Sequence, residues 1–286
     1  MAAGGGQARP VPELPEVETT RRALARRLRH ARIEAVELRR RDLRTPVPAD
    51  LPARLAGRRL VAFGRRGKYL LLVTDGPEVL LVHLGMSGRL VLDGPPRPHT
   101  HLRLRFSGGA VLDYVDPRRF GTVDLVPRRD LLRDPRLAVL GPEPLAPGFD
   151  ATGLGRALVG RRAAIRDVLL DQRVVAGLGN IYVCEALFAA RIHPFAPAAT
   201  LGPRTRARLV AAIRKVLEEA IGAGGSTLRD YVAADGRLGR FQNAFRVYGR
   251  AGAPCPRCGG AVVREARGGR SSFFCPRCQR RRRVFP

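Results

Sequence analysis

No apolar run in this sequence approaches the ~18 residues that would suggest a membrane-spanning helix, and no leader with an apolar core opens it. Those absences point to a soluble, intracellular protein with no membrane partner. Acidic residues are scarce beside basic ones, 25 against 52, which leaves a formal charge of +27 and a pI near 11.6. Lysine is nearly missing, since Lys68 and Lys215 are the only two among those 52. A coding bias that swaps Lys for Arg leaves charge unchanged, so it does not explain the surplus. A field of this size attracts polyanions and is costly to leave unpartnered, so nucleic acid is the expected partner. Five cysteines in such a chain argue against a disulfide framework.

What is present suffices for real cores: 286 residues at 45% hydrophobic content support one large or two ordinary domains. Met1 to Pro10 is Gly/Ala-rich and lacks apolar periodicity. From Pro15 to His30 the pattern is helical, with Val17, Leu24 and Leu28 at helical spacing and Pro where a first helical turn tolerates it. Short runs then follow at Ile33 to Leu38, Leu60 to Phe63, Tyr69 to Val73, Val79 to Leu84, Leu102 to Phe106 and Val111 to Tyr114. Gly, Pro and Asp separate them, which predicts a sandwich or barrel. After a Pro/Gly-rich linker, Leu154 to Leu158, Ile165 to Leu170, Ile181 to Ala190 and Pro203 to Ile221 read as helices, the last stopping before Gly222.

Cys255 and Cys258 form one C-x-x-C pair and Cys275 and Cys278 another, with sixteen residues between the pairs. Four thiolates at this spacing hold a zinc ion tetrahedrally and leave no open position for water, so one structural Zn²⁺ is expected. Arg270, just before the second knuckle, falls where a hairpin tip would present a cation to a phosphate. Cys184 is left over and reads as a small buried hydrophobe. The run PELPEVE from Pro12 to Glu18 carries chemistry that depends on where the polypeptide begins. Inside a chain Pro12 is a tertiary amide; as a first residue it is a secondary amine able to form an iminium, with Glu13 beside it to move protons. Lys68 lies in an apolar strand context, where an ammonium is expensive to bury without an anion, and a phosphate contact is the natural partner.

PELPEVE, RRGKYLLL around Lys68, HLGMSG from His83, DPRRFG from Asp116, LGPEPL from Leu140, GLGNIY from Gly177 and the terminal cysteine knuckles occur in that order. Together they resemble the bacterial formamidopyrimidine-DNA glycosylase family, over nearly everything from Pro12 to about Gln279. The resemblance implies an α+β chain: an N-terminal β-sandwich with a leading helix, a helix-two-turn-helix domain and a C-terminal zinc ribbon. On that basis 12–140 is the catalytic sandwich, 141–150 a linker, 151–247 the helical DNA-binding domain with a lesion-recognition loop, 248–279 the zinc finger and 280–286 a basic tail.

The implied activity is excision of 8-oxoguanine and formamidopyrimidines from damaged double-stranded DNA, followed by strand cleavage at the abasic site, in a monomer of the bacterial cytoplasm. Pro12 would be the nucleophile and Glu13 the proton carrier, assisted by Glu16 and Lys68. His83, Asn180, Tyr248 and Arg270 would hold phosphates, with Arg119 among the DNA contacts, while Met86, Arg118 and Phe120 would fill the space left by the everted base. Taken alone, Met86 and Phe120 read as core, His83 as a hydrogen-bonded core histidine and Glu16 as a helix-favouring first-turn acid. Arg229, in the loop from Gly224 to Arg240, stands where many relatives carry Lys. The mechanism needs Pro12 as residue one, so translation is expected to start at Val11, read from a GTG codon as initiator Met and then removed; 1–11 would be a non-native extension. The rivals are an oxidised-pyrimidine glycosylase of the endonuclease VIII type and, with the extension retained, a non-catalytic binder of damaged DNA.

Overall fold

The computed structural model describes residues 12–226, 234 and 238–281. They group into two compact units. One gathers the chain as far as Val139 with the described part of Ala220–Gln242, and the other gathers Leu140–Glu219 and the chain from Asn243 on.

The first unit opens with α1 (Leu14–Leu28), which has Glu13 at its N-cap, Pro15 and Glu16 in its first turn and Arg26 and Arg27 in its last. Acid at the start and base at the end both complement the helix dipole. Then come β1 (Ile33–Leu38), α2 (Leu51–Leu55), β2 (Leu60–Arg66), β3 (Tyr69–Thr74), β4 (Glu78–His83), β5 (Arg89–Leu92), β6 (Thr100–Phe106), β7 (Val111–Val115), β8 (Thr122–Pro127) and the single turn α3 (Pro135–Ala138). The strands form two four-stranded antiparallel sheets, ordered β1-β6-β7-β5 and β2-β3-β4-β8.

Alternate residues of both sheets, Leu70, Leu72, Leu80 and Val82 from one and Leu102, Leu104, Leu112 and Tyr114 from the other, join Val17, Leu24 and Leu28 of α1 in one buried cluster. Such side chains contribute roughly 1.5–3 kcal/mol each. A core this size is enough to hold a sandwich without metal or disulfide.

Register decides which loops meet. Tyr69 pairs with His83 and His83 with Thr122, so the β2–β3 turn, the end of β4 and the start of β8 lie at one end of one sheet. Strands β5 and β8 join the six that the apolar runs predict. The first is four residues long, and the second carries Asp124 in its middle and Pro127 at its end.

The second unit contains α4 (Ala151–Leu158), α5 (Ile165–Leu170), α6 (Asn180–Ala189), α7 (Pro203–Gly222) as far as Glu219, and the hairpin of β9 (Val263–Arg267) with β10 (Arg270–Phe274). Asp150 caps α4 by accepting the Gly153 N–H at 2.6 Å. Helix α6 is buried from Ile181 to Phe188 and is apolar nearly all round apart from Glu185, which marks it as the centre of this unit. Cys184 is buried within it. Helix α7 runs one residue past its predicted end to include Gly222. Among the described residues no helix is long and apolar enough to cross a membrane.

Candidate active site and nucleic-acid interface

Pro12 is buried and immediately precedes the Glu13 N-cap. The carboxylate of Glu16, only 2% exposed, holds this segment. Its Oε2 accepts the Glu13 backbone N–H at 3.0 Å, and its Oε1 accepts both the N–H and the hydroxyl of Ser226 at 2.8 Å. Three charge-assisted bonds satisfy the buried acid and tie the Pro12–Glu13 step to the start of the 224–240 loop. The neck of that loop is closed by a Ser226–Arg240 bridge and by N–H bonds from Arg240 to the Ala223 carbonyl and from Phe241 to the Gly225 carbonyl. Ser226 carries no motif that sequence reading would single out. Arg229 lies outside the described residues.

Next to Glu16 on α1, Glu18 accepts from Arg21 and Arg22 and pairs with Arg65 at 3.3 Å. Burial opposes its charge, but the hydrogen bonds from Arg21 and Arg22 and the charges of Arg21 and Arg65 outweigh that and hold it at about 2.

Lys68 sits in the two-residue turn between β2 and β3 rather than within a strand, and is half-buried. His83, at the end of β4, stacks on Tyr69 with ring centroids 4.7 Å apart. Burial first, then the charges of Lys68 and Arg44, pull His83 down to about 4. Its Nδ1 accepts the Gly85 N–H at 3.1 Å. The neutral ring therefore carries its proton on Nε2 and offers a donor, not a cation.

Met86 is half-buried in the loop after β4, and Phe120, before β8, is 42% exposed. A core role would bury both. The Arg118 guanidinium lies over the Phe120 ring at 4.7 Å, a cation–π stack that stiffens both side chains. Arg119 has a left-handed backbone and pairs its guanidinium with Asp42 on the surface.

In the second unit, Asn180 begins α6 and donates through Nδ2 to the Ser271 carbonyl at 2.9 Å. Its second amide N–H and the positive end of the α6 dipole both favour an anion at this helix start. The preceding Gly177–Gly179 turn is set by Gln172, which accepts the Gly177 N–H and donates to the Leu178 carbonyl, both at 2.8 Å.

The most unusual residue here is Arg166 on α5, 1% exposed. Its guanidinium donates to the carbonyls of Arg267 and Arg270, to the Ser272 hydroxyl and to Asp167. It grips both sides of the turn where Arg267 pairs with Arg270, so Arg270 stands at a hairpin tip whose backbone is fixed from below. Tyr248 is packed edge-on against Phe245 and Phe273. Glu185, fully buried, accepts the N–H groups of Arg246, Val247 and Tyr248. Burial pushes its carboxyl up despite those three bonds.

The four Sγ atoms of Cys255, Cys258, Cys275 and Cys278 lie within 4.8 Å of one another, with 3.8 Å between Cys255 and Cys278 and 3.5 Å between Cys258 and Cys275. Tetrahedral zinc–thiolate bonds of ~2.3 Å require sulfurs ~3.8 Å apart. The donor set therefore fits one zinc ion with no open position. Gln279 braces the second knuckle, accepting the Cys275 N–H and donating to the Ile192 carbonyl. Of the basic run that follows, Arg282 and Arg283 lie outside the described residues.

Three family models match the chain: the formamidopyrimidine-DNA glycosylase N-terminal domain over residues 11–123, the H2TH domain of the same enzymes over 140–232, and a zinc finger found in FPG and IleRS over 252–281. The formamidopyrimidine-DNA glycosylase of Novosphingobium aromaticivorans is 54% identical over 271 residues, and that of Cereibacter sphaeroides is 50% identical over 283; each match covers 94% of this chain and 100% of the relative. Among solved structures, the MutM (Fpg) protein of Thermus thermophilus superposes with a TM-score of 0.86 at 45% identity, covering 94% of this chain and 98% of that one. Lactococcus lactis Fpg in complex with DNA containing an abasic site superposes at 0.88 with 37% identity, covering 94% and 100%. The sandwich, the H2TH helices, the zinc ribbon and these matches along nearly the whole sequence agree: the chain is a DNA glycosylase belonging to the formamidopyrimidine-DNA glycosylase family.

Proposed function

We propose that the protein excises 8-oxoguanine and formamidopyrimidines from duplex DNA and cleaves the strand at the abasic site, with Pro12 as the nucleophile. The observation that carries this reading is the setting of Pro12: a buried proline, followed by a carboxylate at a helix N-cap, in the unit that also carries the Lys68 turn and the neutral His83. As a terminal secondary amine, which ordinarily titrates near ~8, Pro12 has a useful neutral fraction at physiological pH.

Its nitrogen attacks C1′, the glycosidic bond breaks, and the base leaves with a proton. The amine gives up its proton and its lone pair expels O4′, which takes up a proton as the sugar ring opens, so that C1′ is left as an iminium. This iminium withdraws electrons from C2′, so loss of a C2′ proton expels the 3′ phosphate and a second elimination expels the 5′ phosphate. Hydrolysis of the imine returns the free amine. Glu13 carries protons at the sugar. Glu16 is spoken for by Glu13 and Ser226 and acts by holding the segment in place. Lys68 and the Nε2–H of His83 hold phosphate oxygens, as do Asn180, Tyr248 and Arg270 in the other unit, with Arg119 a peripheral contact. Met86, Arg118 and Phe120 fill the vacated stack, and Arg118 hydrogen-bonds the orphaned base. Arg229 belongs to the loop over the everted base. Zinc, when bound, supplies folding energy to the ribbon and takes no part in the chemistry.

This reading requires the peptide bond before Pro12 to be absent in the working enzyme, with residues 1–11 removed or never made. The test compares the full chain with a form beginning at Pro12 on duplexes carrying 8-oxoguanine opposite cytosine or thymine glycol opposite adenine. The Pro12 form should cut the first duplex at least about 100-fold faster than the full chain, since no other group replaces the amine. Failure to cut it contradicts the reading, and preference for thymine glycol supports the endonuclease VIII alternative. Equal binding by both forms, with neither able to cut, supports a non-catalytic binder.

A further inference from the structure

The loops at Leu84–Gly88 and Asp116–Gly121 carry Met86, Arg118 and Phe120, yet two such loops on a surface have no intrinsic reason to hold one shape. Between them lies Asp116, 0% exposed. Its Oδ1 accepts the Ser87 hydroxyl at 2.6 Å and the Arg118 N–H at 3.3 Å; its Oδ2 accepts the Gly121 N–H at 2.9 Å and the Tyr114 hydroxyl at 3.2 Å. The Asp116 carbonyl in turn accepts from His101 Nε2 at 2.8 Å and from the Arg119 N–H at 3.3 Å. No cation is paired with the carboxylate among the described residues, so a buried charge is satisfied entirely by neutral donors from both loops and from β7.

The loops also touch backbone to backbone. A Cβ at Gly85 would lie 2.4 Å from the Phe120 carbonyl carbon, and one at Gly121 would lie 1.9 Å from the Tyr114 hydroxyl and 2.6 Å from the His83 carbonyl. Burial and the adjacent Asp116 charge push the Tyr114 phenol far above its ordinary range, so it remains a donor at every working pH.

We propose that Asp116 is a positioning residue that locks the two loops into one rigid wedge, so that Met86, Arg118 and Phe120 enter the DNA stack as a unit. The proposal rests on the void-filling role assigned above. Asparagine is a poor replacement for the carboxylate. With its oxygen towards the Gly121 N–H, its NH₂ opposes the Arg118 N–H, which keeps only the Ser87 Oγ at 3.2 Å as acceptor; turned over, its NH₂ opposes the Gly121 N–H. A rigid wedge matters because misplacing such groups by about 1 Å can lower a rate by ~100-fold.

The test uses zinc-loaded protein beginning at Pro12 and a duplex with a tetrahydrofuran abasic analogue beside 2-aminopurine, whose fluorescence reports insertion without requiring chemistry. Asp116→Asn should reduce the insertion amplitude and weaken preference for the tetrahydrofuran duplex over undamaged duplex by roughly 10- to 100-fold. Ser87→Ala, which keeps the carboxylate, should shift the same preference about 3-fold, and it decides the matter if Asp116→Asn fails to fold. Insertion and preference like wild type in a folded Asp116→Asn, or in Ser87→Ala where only that variant folds, overturns the proposal. So does an equal loss of affinity for both duplexes. Excision of 8-oxoguanine is scored separately: wild type that inserts but does not excise contradicts the catalytic reading and leaves the wedge standing.

Discussion

The two units hold the elements proposed to contact DNA with buried charges of opposite sign. In the sandwich a carboxylate, Asp116, collects N–H and O–H donors from two loops and from β7; in the helical unit a guanidinium, Arg166, collects the carbonyls and hydroxyl of one hairpin. The difference follows from what each element leaves unpaired. Tight loops around Gly85 and Gly121 point N–H groups inward and need an acceptor. The turn between β9 and β10 points carbonyls inward and needs a donor, and Arg has five in a fixed fork. The supports differ as well: a large apolar core lies behind Asp116, whereas the ribbon leans on zinc and polar bonds.

That contrast predicts the largest effect for metal. Stripping zinc with a chelator should remove on the order of 10 kcal/mol from the ribbon, and loss of its hairpin signals in NMR should leave those of the sandwich unchanged. Sandwich signals that collapse at the same time would break the distinction between the two supports. Next comes Arg166→Ala, which strands the buried Ser272 hydroxyl and two carbonyls of the hairpin turn and should lower stability by about 3 kcal/mol. Chemical denaturation would measure this, and Arg166→Lys, with three donors instead of five, should recover part of the loss.

A smaller effect concerns acid. Glu18 is depressed in the folded state, so its contribution is present above the unfolded value of 4.5 and drains as pH falls towards about 2. Thermal melts of Glu18→Gln against wild type should differ at pH 6 and converge in that window; a constant difference would sever Glu18 from its arginine partners. The smallest effect is expected at His83. A ring held at about 4 stays neutral through pH 5–8, so His83→Gln, which keeps a neutral donor, should change DNA affinity no more than about 3-fold, with the same pH profile as wild type. A wild-type affinity that rises as pH falls through 6.5 would mean that the imidazolium makes the contact.

How much of this could be read from residues alone follows the physics of each element. Short apolar or alternating runs mark β1, β2, β3, β4, β6 and β7, because a strand buried on one or both faces needs apolar side chains there. Strand β5 is too short to show a period, and β8 is interrupted by Asp124, so both escaped. The cysteine knuckles are legible because zinc chemistry dictates residue type and spacing, and Pro12 with Glu13 stands out as a candidate because of the chemistry a terminal proline would have. Asp116, Arg166, Glu185 and Gln172 were not singled out, since their partners lie on other loops and in a strongly charged chain each looks like ordinary surface. Arg166 reaches Ser272, 106 positions away, and no local pattern records such a bond. Phe120 shows the converse: by type it belongs in a core, and only its placement shows it exposed.

The central claim is that the Pro12 nitrogen itself becomes bonded to the sugar. Borohydride reduction of the Pro12 form during turnover on 8-oxoguanine duplex, followed by peptide mass mapping, tests it most directly. The account predicts an adduct on the terminal peptide, at Pro12. An adduct at Lys68 or elsewhere, or none while excision proceeds, would contradict it.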